Sequence, residues 1–292
     1  MIEQSNNRRW TLPLAGLLLL VAACNEIIDN SPPDFQNLKE SRPIGNAKAL
    51  DVRLRYDIGK LEVRSDGSGD LFSFNLDYDA RKSKPRFDFK MNGDRAVMEL
   101  EMDHRFGIGN SNKRANELSL RLNDSIPLDL DFSAGVSDSH LDLTGLDITR
   151  FHLRGGVGRT EVSFDRPQEK PMAYFEVESG VGNLTIRGLG NARVEHLKVD
   201  GGVGRTDLDF TGEAKDARMD TEINVGVGQV RLLVPRSADI TIEAESSFLS
   251  NLSAPGFEKN GSTYTRRSTD DDSTKIFIRI RSGVGGVTVE LI

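Results

Sequence analysis

Beyond residue 46, apolar and polar residues alternate in short runs along most of the chain. Phe151-His152-Leu153, Phe175-Glu176-Val177, Leu197-Lys198-Val199 and Ile223-Asn224-Val225 are four such runs. A second set answers them: Glu161-Val162-Ser163-Phe164, Leu184-Thr185-Ile186, Asp207-Leu208-Asp209-Phe210 and Val230-Arg231-Leu232. A period of two predicts strands with one buried face. Between each pair of runs lies a glycine pair around a valine: Gly156/Gly158, Gly180/Gly182, Gly202/Gly204, Gly226/Gly228 and Gly283/Gly285, with a degenerate copy at Gly135. From the first glycine of each, the steps are 21, 24, 22 and 24 residues, then one of 57. A fixed period in the twenties marks a stack of repeats.

The expected fold is therefore all-β, a β-solenoid of rungs of about 22–24 residues, each holding two short strands joined at a Gly-Val-Gly corner. Glycine suits a corner because it reaches positive φ and lets neighbouring backbones approach. The flanked valine is expected to point inward and fill the corner layer. One rung cannot bury its own apolar face, so rungs must stack on a shared core. Sharper readings of the glycines fail. A calcium-binding nonapeptide needs an Asp where Thr160 and Thr206 stand. A dinucleotide fingerprint needs a third glycine opening a helix, and a phosphate loop needs Gly-Lys-Ser/Thr; neither is present.

Residues 131–292 form the predicted solenoid and residues 47–130 an N-terminal β region that caps it. Phe72-Phe74-Leu76-Tyr78, Phe87-Phe89 and Met98-Leu100-Met102 alternate there, and Asn92-Gly93 between two runs predicts a hairpin. Asp57-Ile58-Gly59-Lys60 imitates the corner pattern, so this region also holds a first rung. His104 to Asn116, with Phe106 to Arg114 at its centre, reads as a loop. Within the long step of 57, Ser246-Ser247-Phe248 reads as a rung whose glycines were replaced. Asp270-Asp271-Asp272 reads as a solvated loop tip, because neighbours on an extended chain face opposite ways.

Residues 1–23 carry Arg8 and Arg9 ahead of a short apolar run with Leu17–Leu20 at its heart, the pattern of a secretion signal. The run ends Val21-Ala22-Ala23-Cys24, which resembles the lipobox of bacterial lipoproteins. That resemblance implies cleavage between Ala23 and Cys24 and acylation of Cys24, palmitate included. Residues 24–46, with Pro32, Pro33, Pro43 and Gly45, read as a flexible tether. Cys24 is the one cysteine in the sequence. Its acylation leaves no thiol, so disulfides, cysteine-bound zinc and cysteine nucleophiles drop out. Asn25 after the cysteine favours the outer membrane by analogy with Gram-negative sorting; in a host with a single membrane, the outer face of the plasma membrane takes its place.

Losing Glu3, Arg8 and Arg9 moves the formal charge from −7 to −8. A mildly acidic chain with interspersed signs has no basic patch for nucleic acid. The expected partners are the membrane, through the anchor, and an envelope protein or glycan.

Asn116 to Leu120, Asn123 to Leu130, Asp142 to Leu146, Gly188 to Ala192, Val234 to Arg236 and Ser253 to Phe257, together with the glycine rungs, resemble the toast-rack family. The family implies an extracytoplasmic β-solenoid, related to the C-terminal region of cell-wall-antibiotic-response regulators and to adhesin-head domains. It implies no catalytic residues.

Chemistry read from the residues is sparse. Asp77/Asp79, Asp129/Asp131 and Asp207/Asp209 each sit two strand positions apart, roughly 6.5–7 Å, a separation that glycoside hydrolysis can use. The pairs share no focus, which argues for a solubilising face. His104, His140, His152 and His196 do not stack in register and match no zinc motif. The expectation is a protein without catalytic residues, metal or cofactor: a lipid-anchored scaffold of the cell envelope, possible roles including stress sensing. Surface adhesion or polysaccharide binding is the alternative, and a polysaccharide-active enzyme the least favoured.

Overall fold

Alternation does make strands, but a strand does not stop at the glycines. In the computed structural model, which describes residues 32–67, 69–104, 116–213, 217–246, 250–270 and 273–292, the chain runs in order through sixteen strands. These are β1 (Phe35–Pro43), β2 (Ala49–Asp66), β3 (Asp70–Asp79), β4 (Ser83–Asn92), β5 (Arg95–His104), β6 (Glu117–Asn123), β7 (Leu128–Asp142), β8 (Ile148–Ser163) and β9 (Met172–Arg187). A short helix α1 (Leu189–Ala192) precedes β10 (Val194–Asp209), β11 (Arg218–Val234), β12 (Asp239–Ser246), β13 (Ser250–Ser253), β14 (Glu258–Asn260), β15 (Thr263–Arg266) and β16 (Lys275–Leu291).

β2, β7, β8, β9, β10, β11 and β16 are each a whole rung, and they pair in parallel in that spatial order. Each bends at its corner, so the residues before it form one sheet and the residues after it a second sheet facing the first. The core lies between. Phe132, Phe151 and Phe175 follow one another up the first sheet with centroids 5.5 and 4.9 Å apart, and Phe164 reaches Phe175 from beyond the second half of β8 at 6.3 Å. At the edge opposite the corners, buried amides tie successive return loops. Gln168 accepts from the Ile148 N–H and donates to the Ala192 carbonyl. Asn191 donates to the Phe164 carbonyl and accepts from the Glu213 N–H.

The corner glycines fall into two stacked rows. Gly135, Gly156, Gly180, Gly202, Gly226 and Gly283 lie against the rung beneath, where an added Cβ would stand 2.1–2.9 Å from a backbone oxygen. Gly59, Gly158, Gly182, Gly204, Gly228 and Gly285 have φ between +136° and +152°, which a side chain strains to adopt. Ser137 holds the equivalent place in β7 without a positive φ.

The valine between the rows corrects the sequence expectation. Val136, Val157, Val181, Val203, Val227 and Val284 are 43–52% exposed and point outward. The reason is geometric: at the apex of a bend between facing sheets, the inner side is already filled. Buried or half-buried Ala134, Gly155, Ser179 and Gly201 occupy it before the corner, and Ser139, Thr160, Leu184 and Thr206 after it.

Both ends depart from the repeat. β5 and β6 pair with the first and second halves of β2 and so make one rung divided at its corner. β4 covers β5, β3 covers β6, and β1 covers β3, all antiparallel. β12 and β13 likewise pair with the two halves of β16 as a divided outermost rung, and β15 covers β12. β16 is thus inserted between β11 and a rung made earlier, which accounts for the step of 57. Ser246-Ser247-Phe248 falls where β12 meets the corner, although residues 247–249 lie outside the described set.

Two boundaries move. Residues 35–43 were expected in the tether, yet they pair as β1 along β3. An edge strand held by backbone bonds on one side needs no apolar alternation. The solenoid begins at β2 rather than at residue 131, which falls inside β7. The Asn92-Gly93 hairpin joins β4 to β5 as predicted. At the bounds of the expected loop from His104 to Asn116, the structure ends β5 at His104 and buries Asn116.

Candidate functional site

The outer surface of the first sheet is organised by register. The parallel register of β7 on β8 slips between Leu128 and Asp129, and from Asp129 onward outward residues form rows about 4.8 Å apart from strand to strand. One row reads Asp131, His152, Glu176, Lys198, Glu222 and Arg279; the next reads Ser133, Arg154, Glu178, Asp200, Asn224 and Arg281. Like charges directly opposite repel, and the first row alternates sign from Glu176 to Arg279, whereas the second sets Glu178 opposite Asp200. Lys198 lies 2.7 Å from Glu176 and 2.9 Å from Asp200. Its hydrogen bonds to those two carboxylates hold the ammonium above the usual lysine range. Arg281 spans Glu222 and Glu245 at 2.7 and 2.8 Å. Each exposed pair stabilises little, but together they fix the side chains of a flat, rigid face.

A third row breaks the ionic pattern: Arg150, Tyr174, His196, Asp220, Phe277 and Thr241. Arg150 is paired with Asp129 of β7. Tyr174 is 58% exposed and stacks on His196 with centroids 5.2 Å apart. The Arg218 guanidinium lies 4.6 Å over the Phe277 ring and also reaches Asp220 at 3.1 Å. Between these two pairs opens a cleft of about 600 Å³, bordered by Glu176, Lys198, Glu222, Glu243 and Arg279. It offers aromatic surface beside fixed donors and acceptors, a combination suited to binding.

The predicted chemical residues separate as follows. Asp79 is buried and accepts from the Asp34 and Arg81 N–H groups, while Asp77 accepts from Asn37. Asp131 faces Arg154, Asp207 binds Arg205, and Asp209 accepts from the Thr211 N–H. Each pair is spent on local structure. His140 faces Glu161 at 3.3 Å. His152, Glu176 and Glu178 bring three donor atoms within 4.8 Å of one another. Cations already serve that trio: Lys198 binds Glu176, and Arg154 lies 2.9 Å from His152 Nδ1. Ala23, Cys24, Phe106 to Arg114, Asp271 and Asp272 lie outside the described residues, as does the side chain of His104.

Tyr174, His196, Arg218 and Phe277 were not singled out as a site by sequence reasoning. The signal existed: Phe277 interrupts Ile276 and Ile278, and Tyr174 adjoins Phe175, so each sets an aromatic where the alternation calls for a polar residue.

Among the described residues, no helix is long and apolar enough to cross a membrane. Fold and face define a two-sheeted β-solenoid with a rigid outer surface. The chain belongs to the toast-rack family, since the model described as the N-terminal domain of toast_rack, DUF2154, matches residues 29–187. Among solved structures it is similar to a candidate cell adhesion protein from Clostridium sporogenes ATCC 15579. That match has 20% identity and a TM-score of 0.46, over 89% of this chain and 100% of the other. It is also similar to a candidate adhesin from Bacteroides fragilis NCTC 9343, with 11% identity and a TM-score of 0.38, over 88% and 99%. No curated protein matches the chain.

Proposed function

We propose that the chain is a non-catalytic binding scaffold of the bacterial cell envelope, anchored through acylated Cys24, and that it binds with the outer face of its first sheet. The observation that carries this reading is the cleft between the Tyr174–His196 stack and the Arg218–Phe277 pair, set in a face crossed by ion pairs. Aromatic groups exposed on a rigid sheet supply contact area at low entropic cost. The predicted carboxylate pairs support a non-catalytic role, since they bind arginines, an asparagine and backbone N–H groups instead of facing one another across a cleft. The same cleft favours a carbohydrate chain as the ligand, because pyranose C–H faces rest on aromatic rings while hydroxyls take carboxylate and guanidinium partners.

The test is retention of the chain lacking residues 1–24 on envelopes from a deletion strain, wild type against Tyr174→Ala/Phe277→Ala. The double variant should bind at least about tenfold more weakly with an unchanged melting curve. Periodate treatment of the envelopes abolishes a glycan ligand, and protease treatment a protein one. Equal retention of both chains would show that this face is not the binding surface. For the anchor, Cys24→Ala should remain unprocessed and take up no labelled palmitate; labelling of that variant would defeat the lipoprotein reading.

A further inference from the structure

The corner edge carries a feature separate from the aromatic cleft. Val136, Val157, Val181, Val203, Val227 and Val284 pair in register and are all about half exposed. They form one continuous apolar ridge along the stack, on the scale of the few hundred Å² that marks functional patches on soluble proteins. Beside it, on the first-sheet side, runs a shallow trough of about 550 Å³, floored by Gly135, Gly156, Gly180 and Gly202 and walled by Arg154, Glu178 and Asp200.

We propose that this edge joins two copies of the chain, lying side by side and parallel, with the ridge of each in the trough of the other. Three arguments commit the edge to a second copy. The first is repeat matching. The ridge repeats every ~4.8 Å, whereas an α-helix advances 5.4 Å per turn and drifts out of step over five intervals. A second copy has the same repeat at every level. The second is symmetry. Ridge and trough lie side by side on each copy, so a two-fold axis parallel to the stack, midway between them, seats both ridges in both troughs at once. An interface of this kind is self-complementary and closed. An axis perpendicular to the stack would set ridge against ridge and leave both troughs empty.

The third argument is size and charge. A stable interface buries roughly 800 Å² per partner; the six half-exposed valines give the apolar centre of such an interface, the trough adds a smaller area, and the rims of both sheets must be buried to complete it. In the parallel arrangement the first-sheet rim of one copy faces the second-sheet rim of the other at the same level. Asp200, which also binds Lys198, then meets Arg205 of the second copy, which also binds Asp207, and Glu178 meets Asn183. Arg154 shares a level with Arg159 of the second copy, but it is turned towards Asp131, 3.4 Å away.

The test uses the full chain in the envelopes of producing cells. Val136→Cys and Val284→Cys mark opposite ends of the ridge, and two epitope tags distinguish the copies. With a short bismaleimide, each variant should cross-link to itself, while co-expressed Val136→Cys and Val284→Cys should give no mixed product; the unmodified chain controls for Cys24. Adding Val157→Asp and Val203→Asp, at positions already exposed, should reduce the product about tenfold or more without lowering protein level or protease resistance. The proposal is overturned by absence of same-position dimers, by a predominantly mixed product, or by dimers indifferent to the aspartates. Should the aspartate variant fail to accumulate, the two cysteine variants alone decide the matter.

Discussion

The middle of the molecule and its two ends solve different problems with the same residues. From β7 to β11 each rung rests on a near-copy of itself, so register, corner and core are set by repetition. At the ends there is nothing to repeat against. There the outermost rung is divided at its corner, into β5 and β6 at one end and β12 and β13 at the other, and antiparallel strands lie over β5, β6 and β12. An open parallel edge is a template for further pairing, and a reversed strand alters the pattern offered to the next chain. The middle is held by close backbone contact at the corner glycines, repeated from rung to rung, and by the return-loop amides Gln168 and Asn191, whereas the N-terminal end adds Asn116, a single side chain that reaches across unlike elements. Damage in the two places should differ accordingly.

The largest effect is expected in the middle. Gly204 has φ +143°, and a Cβ there would lie 1.8 Å from the Gly182 carbonyl oxygen. Gly204→Val should destabilise the chain by more than ~3 kcal/mol, seen as a large fall in melting temperature by circular dichroism. Gly67, where no atom stands within 4 Å of an added Cβ, should accept Ala with little change. Comparable shifts for both would mean that corner packing does not distinguish the middle from the ends. Gly283 sharpens the point. It stands late in the sequence, but β16 is an interior strand and a Cβ at Gly283 would lie 2.4 Å from the Gly226 oxygen, so it belongs with the middle.

A smaller effect is expected at the N-terminal end. Buried Asn116 donates to the Ile58 carbonyl and the Ser83 hydroxyl at 3.1 and 3.0 Å and accepts from the Asp79 N–H at 3.2 Å. One side chain thereby joins β2, β3 and the start of β4. Asn116→Ala should cost about 1–3 kcal/mol. Amide exchange should quicken in β3 and β4 while β8 to β10 stay protected. Uniform loss of protection would argue against end and middle being separable.

The smallest effect concerns Tyr56, which is fully buried and whose hydroxyl has no hydrogen-bond partner among the described residues. Tyr56→Phe should change stability at neutral pH by no more than ~0.5 kcal/mol, because it removes an unsatisfied polar group. Burial, with Glu117 nearby, raises the pKa of the phenol. A raised folded value means that stability is intact below the ordinary tyrosine value of about 10 and is lost as pH climbs towards the folded value. The wild type should therefore lose stability above pH ~10 more steeply than Tyr56→Phe; superimposable alkaline limbs would exclude Tyr56 as the cause.

Much of the middle was legible because period-two alternation and glycine spacing are local signals, and stacking turns local signals into global register. The direction of the valines was not. Alternation marks an apolar residue as inward, and it takes the backbone contacts of Gly156 and Gly158 to show that Val157 stands at the apex of a bend with its inner side filled. β1 was hidden because an edge strand bonded along one side has no apolar stripe. The insertion of β16 was hidden because a spacing of 57 gives a distance along the chain and no spatial order. The cleft was half visible, since Tyr174 and Phe277 break the alternation, but that His196 stacks on one and Arg218 covers the other depends on strand order.

The place of β16 also fixes a sequence of events in time. Residues 275–291 follow β12 to β15 along the chain, yet they lie inside them in the stack, between β11 and the divided rung. Until they emerge, β12 and β13 have no rung to pair with and β11 presents a bare parallel edge. The N-terminal end, whose divided rung and covering strands all precede β7 in the chain, can close without β16. A chain cut short before β16 should therefore keep one end finished and the other exposed, with β11 unpaired on one side and β12 and β13 without their partner.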